Sequence, residues 1–398
     1  MSETNPLGFL TDQLNSWREA GTFQRLRDLQ SACTPISRFD GREVINLASN
    51  NYLGLTTHPK LIEAAIEATR KYGAGSGAVR TISGTMDLHL QLERKIAAFK
   101  NVEACVVFQS GFAANAGTVS AILTPEDHII SDALNHASII DGCRLSRAKI
   151  HVFPHRDVET AEAKLAALEG VPGHKLLISD GVFSMDGDIA PLPELVKLAR
   201  KYGAIMMVDD AHSSGVLGRA GRGTVDHFGL DGQVHIQVGT LSKAIGVLGG
   251  YVCGSRDLID FLYQRARPFL FSTSHPPSVA ASCIAAFDIL EQEPERMRNL
   301  WKNTEYFRAS LKAAGFDTGA SETPIIPIMV GQAKTAFAFS QALFDEGLLA
   351  TGIGFPTVPE GRARIRTIVT ATHTTEQLDQ ATDILSRVAK SVLAKSVL

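Results

Sequence analysis

The chain has 398 residues, 44% of them hydrophobic and 20% charged, with a formal net charge of −3. That balance belongs to an ordinary soluble globular protein and gives no electrostatic case for nucleic acid or an anionic membrane as partner. No apolar run approaches the ~20 residues a bilayer span needs. The five cysteines, scattered and without a CxxC, fit free thiols in a reducing cytoplasm better than a disulfide framework or a zinc site.

The opening stretch "MSETNPLGFLTDQLNSWREAG" is polar and mixed in charge, unlike a signal or transit peptide, so a cytoplasmic location is expected. "HPKLIEAAIEATRKYG" predicts a helix with Pro59 at its first position and Gly73 as its stop, and "MDLHLQLERKIAAFKN" repeats the helical period. "ACVVF" (104–108) reads as a buried strand and "AANAGTVSAIL" as the helix after it. The apolar runs at 175–179, 204–208 and 235–238 alternate with helical or turn segments, "LPELVKLARKYG" being the clearest helix. Strands alternating with helices over roughly residues 60 to 275 predict an α/β fold with a parallel sheet covered on both faces.

After "ARPFLFSTSHPP" the texture changes. A long helical stretch at about 278–315 leads to "IIPIMVG", a helix ending at Gly347, the run "ARIRTIVTA" and a C-terminal helix, which predicts a smaller α+β domain. The expected organisation is an N-terminal segment (1–57), a large α/β domain (58–280) and a small C-terminal domain (281–398).

Ligands of an open parallel sheet collect beyond the carboxyl ends of its strands, so the residues just after each run carry the chemistry. After 204–208 come Asp209, Asp210 and His212. These read as a turn, as ligands of a divalent metal, or as a fixed negative charge for an organic cofactor. After 235–238 comes "GTLSKAIGVLGG" with Thr240, Ser242 and Lys243. The spacing of a phosphate-loop lysine is absent. Apolar and glycine neighbours would partly desolvate the amine and make it easier to deprotonate, as a Schiff-base lysine requires.

A lysine holding pyridoxal phosphate needs an anion site, a carboxylate for the pyridine nitrogen, donors for the phenolic oxygen and a planar partner for the ring. Ser110, Gly111 and Phe112, on the turn that opens a helix after 104–108, suit the phosphate, with Thr240 and Ser242 nearby. That stretch alone reads equally as a plain strand–turn–helix junction. Asp209 supplies the carboxylate, His212 and Ser184 the donors, and His136 in "SDALNHASIIDG" the planar partner. A metal site is the weaker reading, because nothing else in the chain has matching ligand spacing.

The set "ASNNYLGL", "GAGSGAVRTISGT", "SDALNHASIIDG", "DGVFSMDG", "VDDAHSSGVLG", "GTLSKAIG", "RPFLFSTS" and "RARIRTIVTATHT" resembles the α-oxoamine synthases, in the expected order from about residue 40 onward. These are fold-type I pyridoxal-phosphate enzymes that join an amino acid to an acyl-CoA. The resemblance implies a large domain built on a mainly parallel seven-stranded sheet, and a homodimer with its active site at the subunit interface. The N-terminal segment would then pack on the core and on the dimer partner. Lys243 would carry the cofactor and later move the Cα proton, and Asp209 would pair with the pyridinium. His212 and Ser184 would bond the phenolic oxygen, and His136 would stack on the ring. Ser110, Gly111, Phe112 and Thr240 would hold the phosphate, with Thr273 and Ser274 reaching in from the partner subunit.

Asn50 and Arg366 would take the substrate carboxylate, Arg366 by two parallel bonds. Local sequence alone reads Arg366 as a strand-edge charge beside Arg362 and Arg364, Thr273 and Ser274 as a cap before Pro276, and His136 as a structural polar residue. Within the family the motifs resemble the glycine C-acetyltransferases most, and Val79, at a position that lines the amino-acid pocket, favours glycine. The expected reaction is condensation of glycine with acetyl-CoA, or its reverse in threonine breakdown. The alternative is an 8-amino-7-oxononanoate synthase, joining alanine to pimeloyl-CoA for biotin, or a relative with relaxed acyl-CoA specificity.

Overall fold

The computed structural model describes residues 5–392. Its large sheet has seven strands: β1 (Ala104–Phe108), β2 (His128–Asp132), β3 (Lys149–Phe153), β4 (Lys175–Asp180), β5 (Ile205–Asp209), β6 (Ile236–Thr240) and β7 (Gly250–Gly254). They lie in the order β1-β7-β6-β5-β4-β2-β3. The pairs β2–β3, β2–β4, β4–β5 and β5–β6 are parallel, and β7 runs antiparallel to both β1 and β6. This is the α/β fold with a mainly parallel seven-stranded sheet that the resemblance implied.

Strands β1, β2, β6 and β7 are buried along their whole length and β4 from Leu176 on, and burial on both faces is why β1 and most of β4 read as continuous apolar runs instead of alternating ones. One face packs Val106, Ile129, Ile178, Met207 and Val252 against the helices Gly111–Ile122 and Arg256–Arg265, with Ala114, Val119, Ile259 and Leu262 among the buried contacts. The other packs Ile130, Leu177, Met206 and Val208 under the helices Val158–Ala166 and Leu192–Lys201. Each strand from β1 to β6 therefore ends, at its carboxyl edge, on a loop free to carry polar groups.

Three strands of the large sheet do not stand out in the sequence. His128–Asp132 starts and ends on polar residues, Lys149–Phe153 is an edge strand with exposed positions, and Gly250–Gly254 is bounded by glycines. The helical stretch expected at 278–315 is two helices, Pro277–Gln292 and Glu295–Ala313. Pro294 falls between them, and a proline can neither donate to the preceding turn nor leave its predecessor helical.

By contacts the chain divides into two compact units. One holds Asn50–Ser184 and Asp188–Leu300; the other holds the residues up to Ser49, Met185–Gly187 and those from Trp301 on. The boundaries read from sequence were 57/58 and 280/281. The second unit contains an antiparallel sheet ordered Ile325–Gly331, Ala363–Ile368, Thr351–Ile353. Its core joins Ile326, Ile328 and Ile365 to Phe307, Phe339, Leu378 and Leu385. Among the described residues, no helix is long and apolar enough to cross a membrane.

Candidate active site

Asp209 is the last residue of β5 and is 3% exposed. Its Oδ1 accepts from the Ala211 amide at 2.8 Å, and its Oδ2 accepts from Asn115 Nδ2 at 2.6 Å. Asp180, which ends β4, is its ladder partner and also accepts the His136 amide at 2.7 Å. Burial, then the neighbouring Asp209 carboxylate, push the Asp180 carboxyl well above the usual carboxylate range; the His136 amide and the Lys243 ammonium pull it down. Lys243 is thus within electrostatic reach of this carboxylate edge.

Lys243 is half-buried on the connection between antiparallel β6 and β7. The turn is closed by Gly246 N donating to Lys243 O at 2.9 Å, with Gly246 at φ 77°, a conformation suited to glycine. Thr240 Oγ1 donates to Gly249 O at 2.8 Å and lies 2.8 Å from Ser242 Oγ. The Thr240 hydroxyl proton is therefore engaged by its own loop, and in the contact between the two hydroxyls Ser242 Oγ is the donor.

The helix Gly111–Ile122 opens directly after β1, capped by Ser110, whose Oγ accepts the Ala113 amide at 3.0 Å. Its first turn faces Thr240: a Cβ added to Gly111 would lie 3.5 Å from the Thr240 Cβ. Phe112 is exposed beside it. Free N–H groups at such a terminus suit a phosphate.

His212 is buried, and its Nδ1 lies 2.8 Å from the hydroxyl of fully buried Tyr52. His136, exposed, caps the helix Ala137–Ser146: its Nδ1 accepts from Ser138 N at 3.2 Å. Ser184 is half-buried on the turn that follows β4. Thr273 is exposed, and its carbonyl accepts from Gln109 Nε2 at 2.8 Å. Ser274 is buried, with its hydroxyl 2.6 Å from both Ser76 Oγ and Gly84 O of its own chain. Val79, half-buried, forms a β-bridge to Thr273. Asn50 lies in the same unit, and its carbonyl accepts the Tyr52 amide. Arg366 lies in the other unit, on the middle strand of its sheet, paired with Pro327 and Thr351. Its neighbour on the same face, Arg364, is buried and bonded to Asp186 and to the Met185 carbonyl.

These residues fit a pyridine cofactor on three structural counts. A buried carboxylate closes the carboxyl edge of β5, helix N–H groups open toward the lysine loop, and an imidazole sits on the neighbouring turn. Asn115, Ser138, Tyr52 and Asp180 were not singled out from sequence. An asparagine within the otherwise small and apolar "GFAANAGTVSAI" was the one signal that could have found Asn115.

A buried carboxylate and an amine at the carboxyl edge of such a sheet are the pair that a pyridoxal-phosphate enzyme requires. The family model for aminotransferase class I and II matches residues 42–385. The chain is 59% identical over 384 residues to an 8-amino-7-oxononanoate synthase of Symbiobacterium thermophilum, covering 96% of this chain and 98% of that one. It is 56% identical over 389 residues to 8-amino-7-oxononanoate synthase 1 of Bacillus subtilis, covering 98% and 99%. Among solved structures, a serine palmitoyltransferase from S. paucimobilis with a bound PLP–myriocin aldimine superposes with a TM-score of 0.93 at 32% identity, covering 98% of this chain and 100% of that one. An 8-amino-7-oxononanoate synthase from Francisella tularensis gives 0.74 at 29% identity, covering 87% and 98%.

The chain belongs to the aminotransferase class I and II family and, within it, to the α-oxoamine synthases. The expectation of a glycine C-acetyltransferase acting on glycine and acetyl-CoA is corrected by these relatives, which are 8-amino-7-oxononanoate synthases over nearly the full length. The correction has a physical reason. The choice of glycine rested on Val79, and one methyl group in an apolar pocket discriminates by only ~1–3 kcal/mol.

Proposed function

We propose that this protein is an 8-amino-7-oxononanoate synthase, condensing alanine with a pimeloyl thioester of coenzyme A in biotin synthesis. The observation that carries the reading is 59% and 56% identity, over nearly the whole chain, to two such enzymes. The carbon count fixes the balance: three carbons from alanine and seven from pimeloyl give ten, the product holds nine, and one carboxyl leaves as carbon dioxide while free CoA departs.

The cofactor is pyridoxal 5'-phosphate, which when bound supplies an electron-withdrawing ring joined to a carbonyl that takes the amino group. The protein's own residues do the rest. Lys243 holds the cofactor, gives way to the amino acid and moves the Cα proton through its Nζ. Asp209 faces the ring nitrogen with a charge fixed by Asn115 and the Ala211 amide. His136 covers the ring. His212, oriented by Tyr52, and Ser184 donate to the phenolic oxygen. Ser110, Gly111, Phe112 and the Thr240–Ser242 turn receive the phosphate, with Thr273 contributed by the second copy of a homodimer. Asn50 and Arg366 take the alanine carboxylate, which turns the Cα–H bond toward Lys243; positioning of this kind accounts for much of such a rate enhancement.

The test is release of free CoA by the pure enzyme with alanine plus pimeloyl-CoA against glycine plus acetyl-CoA. The first pair is expected to give the larger kcat/KM by at least about tenfold, ~1.4 kcal/mol of transition-state discrimination. The opposite ranking overturns the substrate assignment. Turnover surviving in Lys243→Ala overturns the lysine's role.

A further inference from the structure

Two residues at this site, Asn115 and Ser138, bind neither cofactor nor substrate in the reading above, and they form a hydrogen-bond chain through it. Asn115 is fully buried; its Nδ2 donates to Asp209 Oδ2 at 2.6 Å and to Ser138 Oγ at 2.9 Å. Ser138 Oγ in turn lies 2.8 Å from His136 Nδ1, the nitrogen that also accepts the Ser138 amide. A ring nitrogen that accepts a main-chain N–H carries no proton of its own. The Ser138 hydroxyl, already accepting from Asn115, therefore donates to it. The donors run outward from one amide, to Asp209 on one side and to His136 on the other.

The orientation of that amide follows from its partners. An ionised carboxylate only accepts, so nitrogen and not oxygen must face Asp209. The result leaves Asn115 Oδ1 buried without a hydrogen-bond partner. A buried carbonyl without a partner calls for an explanation, and the bond that the other end of the same amide makes to Asp209 supplies one. Asn115 also lies four residues after Gly111, on the same face of the helix Gly111–Ile122. One helix thus presents its first turn to the phosphate end and, one turn later, this amide to the nitrogen end.

We infer that Asn115 is a positioning residue for the pyridine ring: it holds Asp209 turned toward the ring nitrogen and, through Ser138, fixes the ring plane of His136. The inference rests on the proposed placement of Asp209 and His136 about the cofactor. The Asn115 amide donates to Asp209 and Ser138, so the effect inferred for it is carried by Asp209 and, through Ser138, by His136.

The experiment uses holoenzyme loaded with pyridoxal phosphate labelled with ¹⁵N in the ring, and reads the nitrogen chemical shift and the cofactor dissociation constant. Wild type shows a pyridinium shift. Asn115→Leu moves the signal toward free pyridine and raises the dissociation constant about tenfold, as loss of one charge-assisted hydrogen bond does. In an Asp209→Asn background the same change has no further effect on either reading, because the residue through which it acts is gone. Ser138→Ala keeps the pyridinium shift but alters the circular dichroism of the bound cofactor. An Asn115→Leu protein with wild-type shift and affinity overturns the inference, as do losses that simply add to those of Asp209→Asn. Should Asn115→Leu fail to fold, Asn115→Ser, too short to reach Asp209, is measured in its place against the same outcomes. A wild-type enzyme lacking the pyridinium signal would instead refute the Asp209 assignment itself.

Discussion

Lys100 and Asp210 form an ion pair in which neither side chain is exposed, and their contacts explain what the second aspartate of "VDDAH" does. Lys100 Nζ donates to Asp210 Oδ2 at 2.7 Å and to the Arg222 carbonyl at 2.6 Å. Asp210 Oδ1 accepts from Ser213 Oγ at 2.6 Å and from both the amide and the hydroxyl of Thr224. Asp210 thus ties the loop carrying His212 to the body of the unit, which leaves Asp209 as the carboxylate proposed to face the cofactor. Removing one partner of a buried pair leaves an uncompensated charge and costs about 3–5 kcal/mol, whereas replacing both by apolar groups can be near neutral. Lys100→Met should therefore lower the unfolding free energy by about that amount in denaturant titration, and Lys100→Met with Asp210→Leu should recover part of the loss. A single variant as stable as wild type would show that the pair is not needed to hold the loop. Read from sequence, Asp209 is assigned to the ring nitrogen and Asp210 has no role, since the partners of Asp210 come from Lys100, Ser213 and Thr224.

The turns between strands and helices impose a different kind of constraint. A Cβ added to Gly250, the first residue of β7, would meet the Ser110 carbonyl carbon at 2.4 Å and the Gly111 nitrogen at 2.5 Å, both backbone atoms that cannot step aside. Gly250→Ala should therefore displace the turn assigned to the phosphate and weaken cofactor binding about tenfold or more, readable by fluorescence titration of the apoenzyme; unchanged affinity would mean that the turn does not hold the phosphate. A second turn is sensitive to pH. His155 lies between Asp132 at 3.1 Å and Asp188 at 2.8 Å. Burial opposes its charge, but the two carboxylates outweigh burial and raise its pKa from 6.5 to about 9. The stabilisation is then complete below about pH 6.5 and is lost as pH rises through about 9. The difference in melting temperature between wild type and His155→Gln should be constant near pH 6 and shrink toward pH 9.5; a difference that grows across that interval would contradict the charged clamp. The strands that sequence revealed were those with uninterrupted apolar runs, such as Ala104–Phe108 and Ile205–Asp209. Those it hid lack such a run: His128–Asp132 and Gly250–Gly254 are bounded by polar residues or glycine, and Lys149–Phe153 is an exposed edge strand. The lysine, the aspartate and the helix cap could be picked out as candidates because each stands at or just past the end of a strand. Asn115 and Tyr52 were not, since their partners are remote in sequence.

At the scale of the whole molecule, four segments of the larger unit form one rim. Val79 bridges Thr273, Gln109 donates to the Thr273 carbonyl, and Gly250 closes against Ser110. On these segments or beside them stand Ile82, 82% exposed, and Phe271, 70% exposed, with Phe112 and Leu248 also exposed. Single exposed apolar residues are ordinary, but several gathered around a ligand site mark a surface that another protein covers. The homodimer proposed above places a second copy there, since it asks Thr273 of one subunit to reach the phosphate of the other. Wild type should sediment as a dimer across a concentration series. Ile82→Glu combined with Phe271→Glu introduces two charges that must be desolvated in such an interface, without touching the buried cores of either unit. That variant should shift toward monomer and lose cofactor occupancy in parallel, because its phosphate site is then built from one chain alone. Dimer mass with full occupancy in the variant would move the interface elsewhere. Monomeric mass with full occupancy would show that one chain completes the site, and Thr273 would drop from the list of phosphate ligands.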